Sequence, residues 1–151
     1  RQKILQAIDR QGLAERCQFL LNRNDVEDLY CVCDVTVLTS IREGTPNVVL
    51  ESMACGTPAV VTDVADNRRI LGEDEAGYTV ALNDDAAMVR RVRELLTDRP
   101  RRDELSRRAR KRVLAEFSLE RLARKTEQVY LESLERKRRD SGCPARMLAA
   151  N

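Results

Sequence analysis

Apolar residues follow two alternating patterns along the chain. Short, largely β-branched runs such as 35–38 and 58–62 are typical of strands buried in a parallel sheet. Between and after them, apolar positions recur every three or four residues, which is typical of amphipathic helices. Because the two patterns alternate, the sequence predicts an α/β fold with a parallel sheet and flanking helices.

The predicted strands and helices can be placed approximately along the sequence. Strands are expected at residues 17–21, 35–38, 58–62 and 78–80. Helices are expected from about residue 4 to Gly12, over 26–32, over 47–54 and over 66–71, and then after Asn83 or Asp84, from Pro100 and from Ser118. The last helix carries an apolar face made of Leu119, Leu122, Ala123, Val129, Tyr130 and Leu134.

Composition excludes several function classes. Lys and Arg total 27 and Asp and Glu total 25, so the net charge of +2 argues against a nucleic-acid partner. Aromatic residues make up 3% of the chain, too few for a base-stacking platform. There is no His, which excludes His-dependent triads and the common His-containing zinc sites.

The cysteines and the hydropathy indicate a reduced, cytoplasmic setting. Five cysteines at irregular spacing, without a CxxC pair, predict no structural metal site. They are Cys17, Cys31, Cys33, Cys55 and Cys143. Cys55 lies in the helix near the expected ligand pocket and is the thiol most worth testing for reactivity. No stretch is apolar enough to span a membrane, and the first residues lack the apolar core of a signal peptide.

The candidate chemistry lies in the loop and helix that follow the predicted strand at 35–38. In an open parallel sheet, ligands bind beyond the carboxyl ends of the strands, and the free N–H groups at a helix N-terminus favour phosphate. Gly44 permits close backbone approach, and Pro46 suits a first helical turn. Glu51 lies one turn into the helix and could accept hydrogen bonds from a ribose diol, while Glu43 could accept one from another hydroxyl. Together these features indicate a nucleoside diphosphate that carries a sugar.

The string from Glu43 to Pro58 resembles the E-x7-E signature of retaining GT-B glycosyltransferases of family four. The resemblance extends over residues 6–134 and includes the strand before the signature, the strand after it and the Phe117-Ser118 start of the last helix. It implies a Rossmann-like sheet within the C-terminal, donor-binding half of a GT-B fold. It also implies transfer of a sugar from a nucleoside-diphosphate sugar with retention of configuration, in a front-face mechanism that needs no metal and no cofactor.

The resemblance also implies a role for each residue of the signature. Glu43 would be the catalytic residue that contacts hydroxyls of the transferred sugar near its anomeric centre, and Glu51 would hold the ribose hydroxyls. The residues between them would line the sugar and the diphosphate, largely through backbone atoms: Gly44, Thr45, Pro46, Asn47 and Val48. Two positions depart from the family pattern. Leu21-Asn22 and Ala65-Asp66 stand where the family usually has glycine, which puts contacts to the base and the phosphates in doubt.

The resemblance further implies how the chain is organised and what it would bind. Residues 1–135 would be a partial donor-binding domain and 136–151 a polar, disordered tail. The acceptor-binding N-terminal domain would be a missing partner, so we expect this chain alone to be inactive, and we expect Leu122, Val129 and Tyr130 on the last helix to be exposed. The resemblance implies a role in cell-envelope polysaccharide or glycolipid synthesis. Independently of the resemblance, we expect the basic face of residues 101–112 to be solvated surface, and contact with an anionic membrane is the alternative. A non-catalytic nucleotide-sugar-binding module and an inactive truncated fragment remain open alternatives.

Overall fold

The computed structural model describes residues 2–72 and 76–141, and these residues form an α/β fold with flanking helices. Its strands are β1 (Thr36–Leu38), β2 (Ala59–Thr62) and β3 (Gly77–Val80). Its α-helices are α1 (Gln2–Arg10), α2 (Val26–Val32), α3 (Asn47–Ala54), α4 (Asn67–Leu71), α5 (Asp85–Thr97), α6 (Arg99–Glu116) and α7 (Leu119–Ser141). A short 3-10 helix, Ala14–Arg16, follows α1.

The three strands pair in parallel in the order β1-β2-β3. Thr36 lies opposite Ala59 in the first pair of strands, and Ala59 lies opposite Gly77 in the second. Because α3 joins β1 to β2 and α4 joins β2 to β3, each connection returns the chain to the same end of the sheet. The predicted α/β class and parallel sheet are therefore confirmed.

Two apolar clusters hold helices against opposite faces of the sheet. Successive residues of a strand point to opposite faces, so Val61 packs with α3, α4 and α6, whereas Val60 packs with β3, α5 and α6. The first cluster is Val49, Met53, Ala59, Val61, Ile70, Leu71, Ala76, Ala109 and Val113. The second is Val60, Tyr78, Val80, Leu95 and Leu105. Every residue of β2 is buried, as expected for the central strand of the three.

The prediction of a strand at residues 17–21 is wrong. This segment has no regular secondary structure, and Phe19, Leu20 and Leu21 are exposed. A strand is stabilised by pairing with a neighbour, and within the described residues β1 pairs only with β2. The apolar run at 17–21 therefore resembles a strand in composition but lacks a partner.

Helix α7 is longer and more exposed than a helix of a closed core. It runs to Ser141, so residues 136–141, expected in a disordered tail, are helical instead. A run of good helix formers with no Gly or Pro continues the helix past the expected boundary at 135. Residues 142–151 of the expected tail lie outside the described residues. Leu122 is 61% exposed and Tyr130 is 68% exposed, and Val129 is exposed as well, which confirms the expectation for this face.

The basic face of α6 binds the protein itself at several points. Arg102 pairs with Asp34 and donates to the Leu95 carbonyl at 2.9 Å. Arg112 donates to the carbonyls of Ile70 and Arg69, at the C-terminal end of α4. These contacts clamp α6 onto neighbouring elements, so part of the basic face has a structural role. Its contact with a membrane stays a prediction.

Candidate functional site

The candidate site is built on the loop that joins β1 to α3. Strand β1 ends at Leu38, and α3 begins at Asn47 after the N-cap residue Pro46. Pro46 is buried and has no side-chain oxygen, so it offers no cap to the first-turn N–H groups, and that turn contains no acidic residue. The Val49 N–H already donates to the Pro46 carbonyl at 3.1 Å, so among the described residues the Asn47 and Val48 N–H groups are the first-turn donors without a partner. Because the loop from the carboxyl end of β1 leads into this turn, the start of α3 offers these two donors and a positive dipole end to an anion.

Glu43 lies exposed in this loop and is held by a hydroxyl group. The Ser40 hydroxyl donates to Glu43 Oε1 at 2.5 Å. This bond draws the carboxylate back towards the end of β1, where the loop leaves the sheet. The other carboxylate oxygen of Glu43 remains an acceptor for a ligand hydroxyl.

Glu51 lies exposed on α3 and is held by a different element. The Tyr30 hydroxyl, from α2, donates to Glu51 Oε2 at 3.4 Å. Partial burial raises the pKa of Tyr30, and the negative charge of Glu51 raises it further, so the phenol stays protonated and acts as a donor at neutral pH. A second bond, from the Thr57 hydroxyl to the Tyr30 carbonyl at 2.5 Å, ties α2 to the turn between α3 and β2. Glu43 and Glu51 are therefore oriented by separate partners.

The loop after β2 contacts the candidate site through Asp66. The Thr45 hydroxyl donates to Asp66 Oδ2 at 3.3 Å, and Arg69 pairs with the same oxygen at 2.8 Å. The hydrogen bond and charge of Arg69 hold the pKa of Asp66 below its usual range. Ala65 has φ 48°, in the left-handed region that glycine adopts freely. The Ala65-Asp66 departure thus keeps a glycine-like backbone and adds a carboxylate that contacts Thr45.

All the predicted site residues lie on this loop and the helix that follows it. Apart from the buried Pro46, they are exposed to solvent: Glu43, Gly44, Thr45, Asn47, Val48 and Glu51. Gly44 has open space around it, since a Cβ added there would meet no described residue within 4 Å. The partners of the two carboxylates were not predicted from the sequence. Ser40 stands three residues before Glu43, which is a local signal, but Tyr30 is 21 residues from Glu51 and nothing in the sequence marks that contact.

Cys55 is less suited to reaction than the sequence suggested. The residue caps the C-terminal end of α3 and is partly buried. Burial raises the pKa of the Cys55 thiol, and a hydrogen bond with Cys31 raises it further, so less thiolate is present at neutral pH. Cys17, Cys31, Cys33 and Cys55 are all free thiols, and Cys143 lies outside the described residues.

The described residues lack two features, a cluster of metal ligands and a membrane-spanning helix. Within 2–72 and 76–141, no group of three or more His, Cys, Asp or Glu side chains is placed to hold a metal ion. In the same ranges, no helix is both long enough and apolar enough to cross a bilayer.

Solved structures identify the class of protein to which this fold belongs. The chain superposes on sucrose-phosphate synthase from Thermosynechococcus elongatus with a TM-score of 0.81 and 26% identity, over 89% of this chain and 34% of that one. Anabaena HepE, solved in complex with UDP, gives a TM-score of 0.82 at 20% identity, over 87% of this chain and 36% of that one. The fold is therefore that of part of a GT-B glycosyltransferase.

Sequence comparison gives the family. Residues 1–112 match the family described as glycosyl transferases group 1, and the chain belongs to that family. It is also 33% identical over 136 residues to the lipopolysaccharide core biosynthesis mannosyltransferase LpsB of Rhizobium meliloti, covering 89% of this chain and 38% of LpsB. The chain spans about a third of the length of such relatives.

Proposed function

We propose that this chain binds the nucleoside-diphosphate sugar donor of a retaining glycosyltransferase. The observation that carries the proposal is the arrangement of Glu43, the uncapped start of α3 and Glu51 along one loop and helix. Family membership supports glycosyl transfer, and the UDP bound to HepE supports a nucleotide ligand of this kind. The E-x7-E string from Glu43 to Glu51 supports retention of configuration.

Each part of the site would contact a different part of the donor. Glu51 would accept hydrogen bonds from the two ribose hydroxyls. The first-turn N–H groups of α3 would hold the diphosphate, whose negative charge the helix dipole favours. Glu43 would accept a hydrogen bond from the sugar close to its anomeric carbon, so it would act on the sugar and not on the nucleotide.

The proposed reaction is a front-face transfer in which the leaving diphosphate helps to take the proton of the acceptor hydroxyl. The bond from the anomeric carbon to the diphosphate oxygen breaks, and the acceptor oxygen bonds to the same face. The role of the protein is to stabilise the charge that develops on the leaving group, which preorganised N–H donors do effectively. We propose that the reaction needs neither metal nor cofactor and that the acceptor is bound by a further domain. Activity would then survive EDTA.

Calorimetric titration of the 151-residue chain with UDP, UDP-glucose, GDP and GDP-mannose tests the proposal. Glu51→Gln should weaken every nucleotide that binds by roughly 10- to 100-fold, since a hydrogen bond to a charged group contributes about 1.5–3 kcal/mol. Glu43→Gln should weaken the binding of the nucleotide sugar and leave the binding of the bare nucleotide unchanged.

The control variant is Glu127→Gln, which changes an exposed glutamate on α7 and should alter neither affinity. Unchanged affinity in Glu51→Gln would contradict the ribose assignment. Loss of the bare nucleotide in Glu43→Gln would mean that the two roles are exchanged. A chain that binds none of the four ligands would contradict the proposal as a whole.

A further inference from the structure

Thr62 is a polar residue at the end of the buried central strand. It closes β2, and its side chain is nearly buried, with 6% of the residue exposed. Its hydroxyl donates to the Ser40 carbonyl at 2.5 Å, across the gap between the end of β2 and the loop that follows β1. This hydrogen bond fixes the backbone at the point where the Glu43 loop leaves the sheet.

The backbone of Thr62 is itself held on a second side. Asn67, fully buried at the start of α4, donates from Nδ2 to the Thr62 carbonyl at 2.8 Å. The next residue, Asp63, donates its N–H to the Val80 carbonyl of β3 at 2.7 Å. Since both anchors are parts of the packed fold, Thr62 presents its hydroxyl to Ser40 from a fixed position.

Three hydrogen bonds therefore join α4 to the candidate sugar carboxylate. Asn67 binds the Thr62 carbonyl, the Thr62 hydroxyl binds the Ser40 carbonyl, and the Ser40 hydroxyl binds Glu43 Oε1. We propose that Thr62 is a positioning residue for Glu43, supported by Asn67, and this inference rests on the proposed function of Glu43. Thr62 contacts no ligand itself. It sets the direction of the loop and hence of the carboxylate.

The proposal makes a specific claim about which half of the donor is affected. Glu51 is held by Tyr30 on α2 and lies outside this series of hydrogen bonds. Removing the Thr62 hydroxyl should therefore weaken recognition of the sugar and leave the nucleotide half untouched. A residue with a merely structural role would weaken both halves together or neither.

A test without ligand examines the loop directly. Thr62→Val keeps the shape of the side chain and removes the hydroxyl, whereas Thr62→Ser keeps the hydroxyl. Backbone NMR order parameters of residues 40–44 should fall in Thr62→Val from the rigid range, about 0.85, towards about 0.6. They should stay close to the wild-type values in Thr62→Ser. The matched control is Thr79→Val, the same change in the neighbouring strand β3, where Thr79 lies beside Val61. Unchanged order parameters in Thr62→Val would overturn the proposal whatever the chain binds.

A test with ligand examines the consequence for binding. The ratio of UDP to UDP-glucose dissociation constants, measured by calorimetry, isolates the contribution of the sugar. Thr62→Val should reduce the preference for UDP-glucose by roughly two- to tenfold, as expected for one neutral hydrogen bond. In a Glu43→Gln background the same change should have little further effect, because the group being positioned is gone.

The outcomes separate this inference from the function on which it rests. If Glu43→Gln removes the preference for UDP-glucose over UDP and Thr62→Val does not, Thr62 is not a positioning residue and the inference is overturned. If Thr62→Val weakens UDP as strongly as UDP-glucose, its role is in the general fold and the inference is again overturned. If Glu43→Gln itself leaves the preference intact, the proposed role of Glu43 fails, and the order parameters alone decide whether Thr62 holds the loop.

Discussion

A substitution at Gly44 allows an effect on the stability of the fold to be separated from an effect on ligand binding. A Cβ added at Gly44 would meet nothing within 4 Å in the part of the chain that the structure describes, and the φ of Gly44 lies outside the left-handed region that requires glycine. Gly44→Ala should therefore change the free energy of unfolding by no more than about 0.5 kcal/mol, as for an ordinary surface substitution.

Binding should respond quite differently to the same methyl group. If the sugar or diphosphate lies against the backbone at Gly44, the new methyl occupies space that the ligand needs. An extra methyl forced into a packed contact costs about 1–3 kcal/mol, which corresponds to a roughly 5- to 150-fold loss of affinity. The expected result is a protein of normal stability that binds the nucleotide sugar poorly.

The assay compares thermal melting with calorimetric titration of UDP-glucose. Gly77→Ala serves as the opposite case, since a Cβ there would lie 2.4 Å from the Ala59 carbonyl oxygen, at the end of the sheet where the strands begin and not where the Glu43 loop leaves it. That variant should lose stability by about 1–3 kcal/mol. Undiminished affinity in Gly44→Ala would refute close approach of the ligand, and a clear drop in its melting temperature would refute the view that Gly44 is free of structural demands.

Three further predictions follow from charge, burial and exposure. The Tyr78 hydroxyl binds Glu94 and lowers the pKa of that carboxyl below its ordinary 4.5. The stabilisation from this hydrogen bond is thus present above about pH 4.5 and is lost as the pH falls through the lowered pKa of Glu94. The difference in melting temperature between wild type and Glu94→Gln should therefore shrink in acid, and a difference that stays constant with pH would contradict this prediction. Cys55 should react with iodoacetamide at pH 7.5 more slowly than the exposed Cys31, by peptide mass spectrometry; faster labelling of Cys55 would show that burial does not protect it. Light scattering should show concentration-dependent association that Leu122→Lys reduces, because the apolar face of α7 is exposed; a monomer at all concentrations would contradict this.

Elements with a strong local signal were predicted well. The helices at Val26–Val32 and Asn47–Ala54 have the predicted bounds, and the Asp84 side chain caps α5 by accepting from the Ala87 N–H. The strands at Ala59–Thr62 and Gly77–Val80 lie within one residue of the prediction. In each case an apolar run or helical spacing is bounded by a capping residue, Gly or Pro, so local sequence is sufficient.

Features that depend on distant partners could not be predicted in this way. Residues 17–21 have strand-like composition, but pairing decides whether a strand forms. The Tyr30–Glu51 contact joins two helices, and its existence depends on how α2 packs against α3. The hydrogen bond from the Thr62 hydroxyl to the Ser40 carbonyl also depends on the packing of the fold, and nothing in the sequence marks it.

The carboxylates at this edge of the sheet divide into two groups by their partners. Asp63 pairs with Arg68 and Asp66 pairs with Arg69, so an arginine already compensates each charge. Glu43 and Glu51 instead accept hydrogen bonds from hydroxyl groups, which orient a carboxylate without neutralising it. A ligand hydroxyl is bound best by an oriented carboxylate whose charge is not already compensated, and among the described residues neither Glu43 nor Glu51 forms an ion pair. This difference is what the proposed roles of Glu43 and Glu51 require. The charges of Asp63 and Asp66 are instead used in ion pairs within the loop and helix that follow β2.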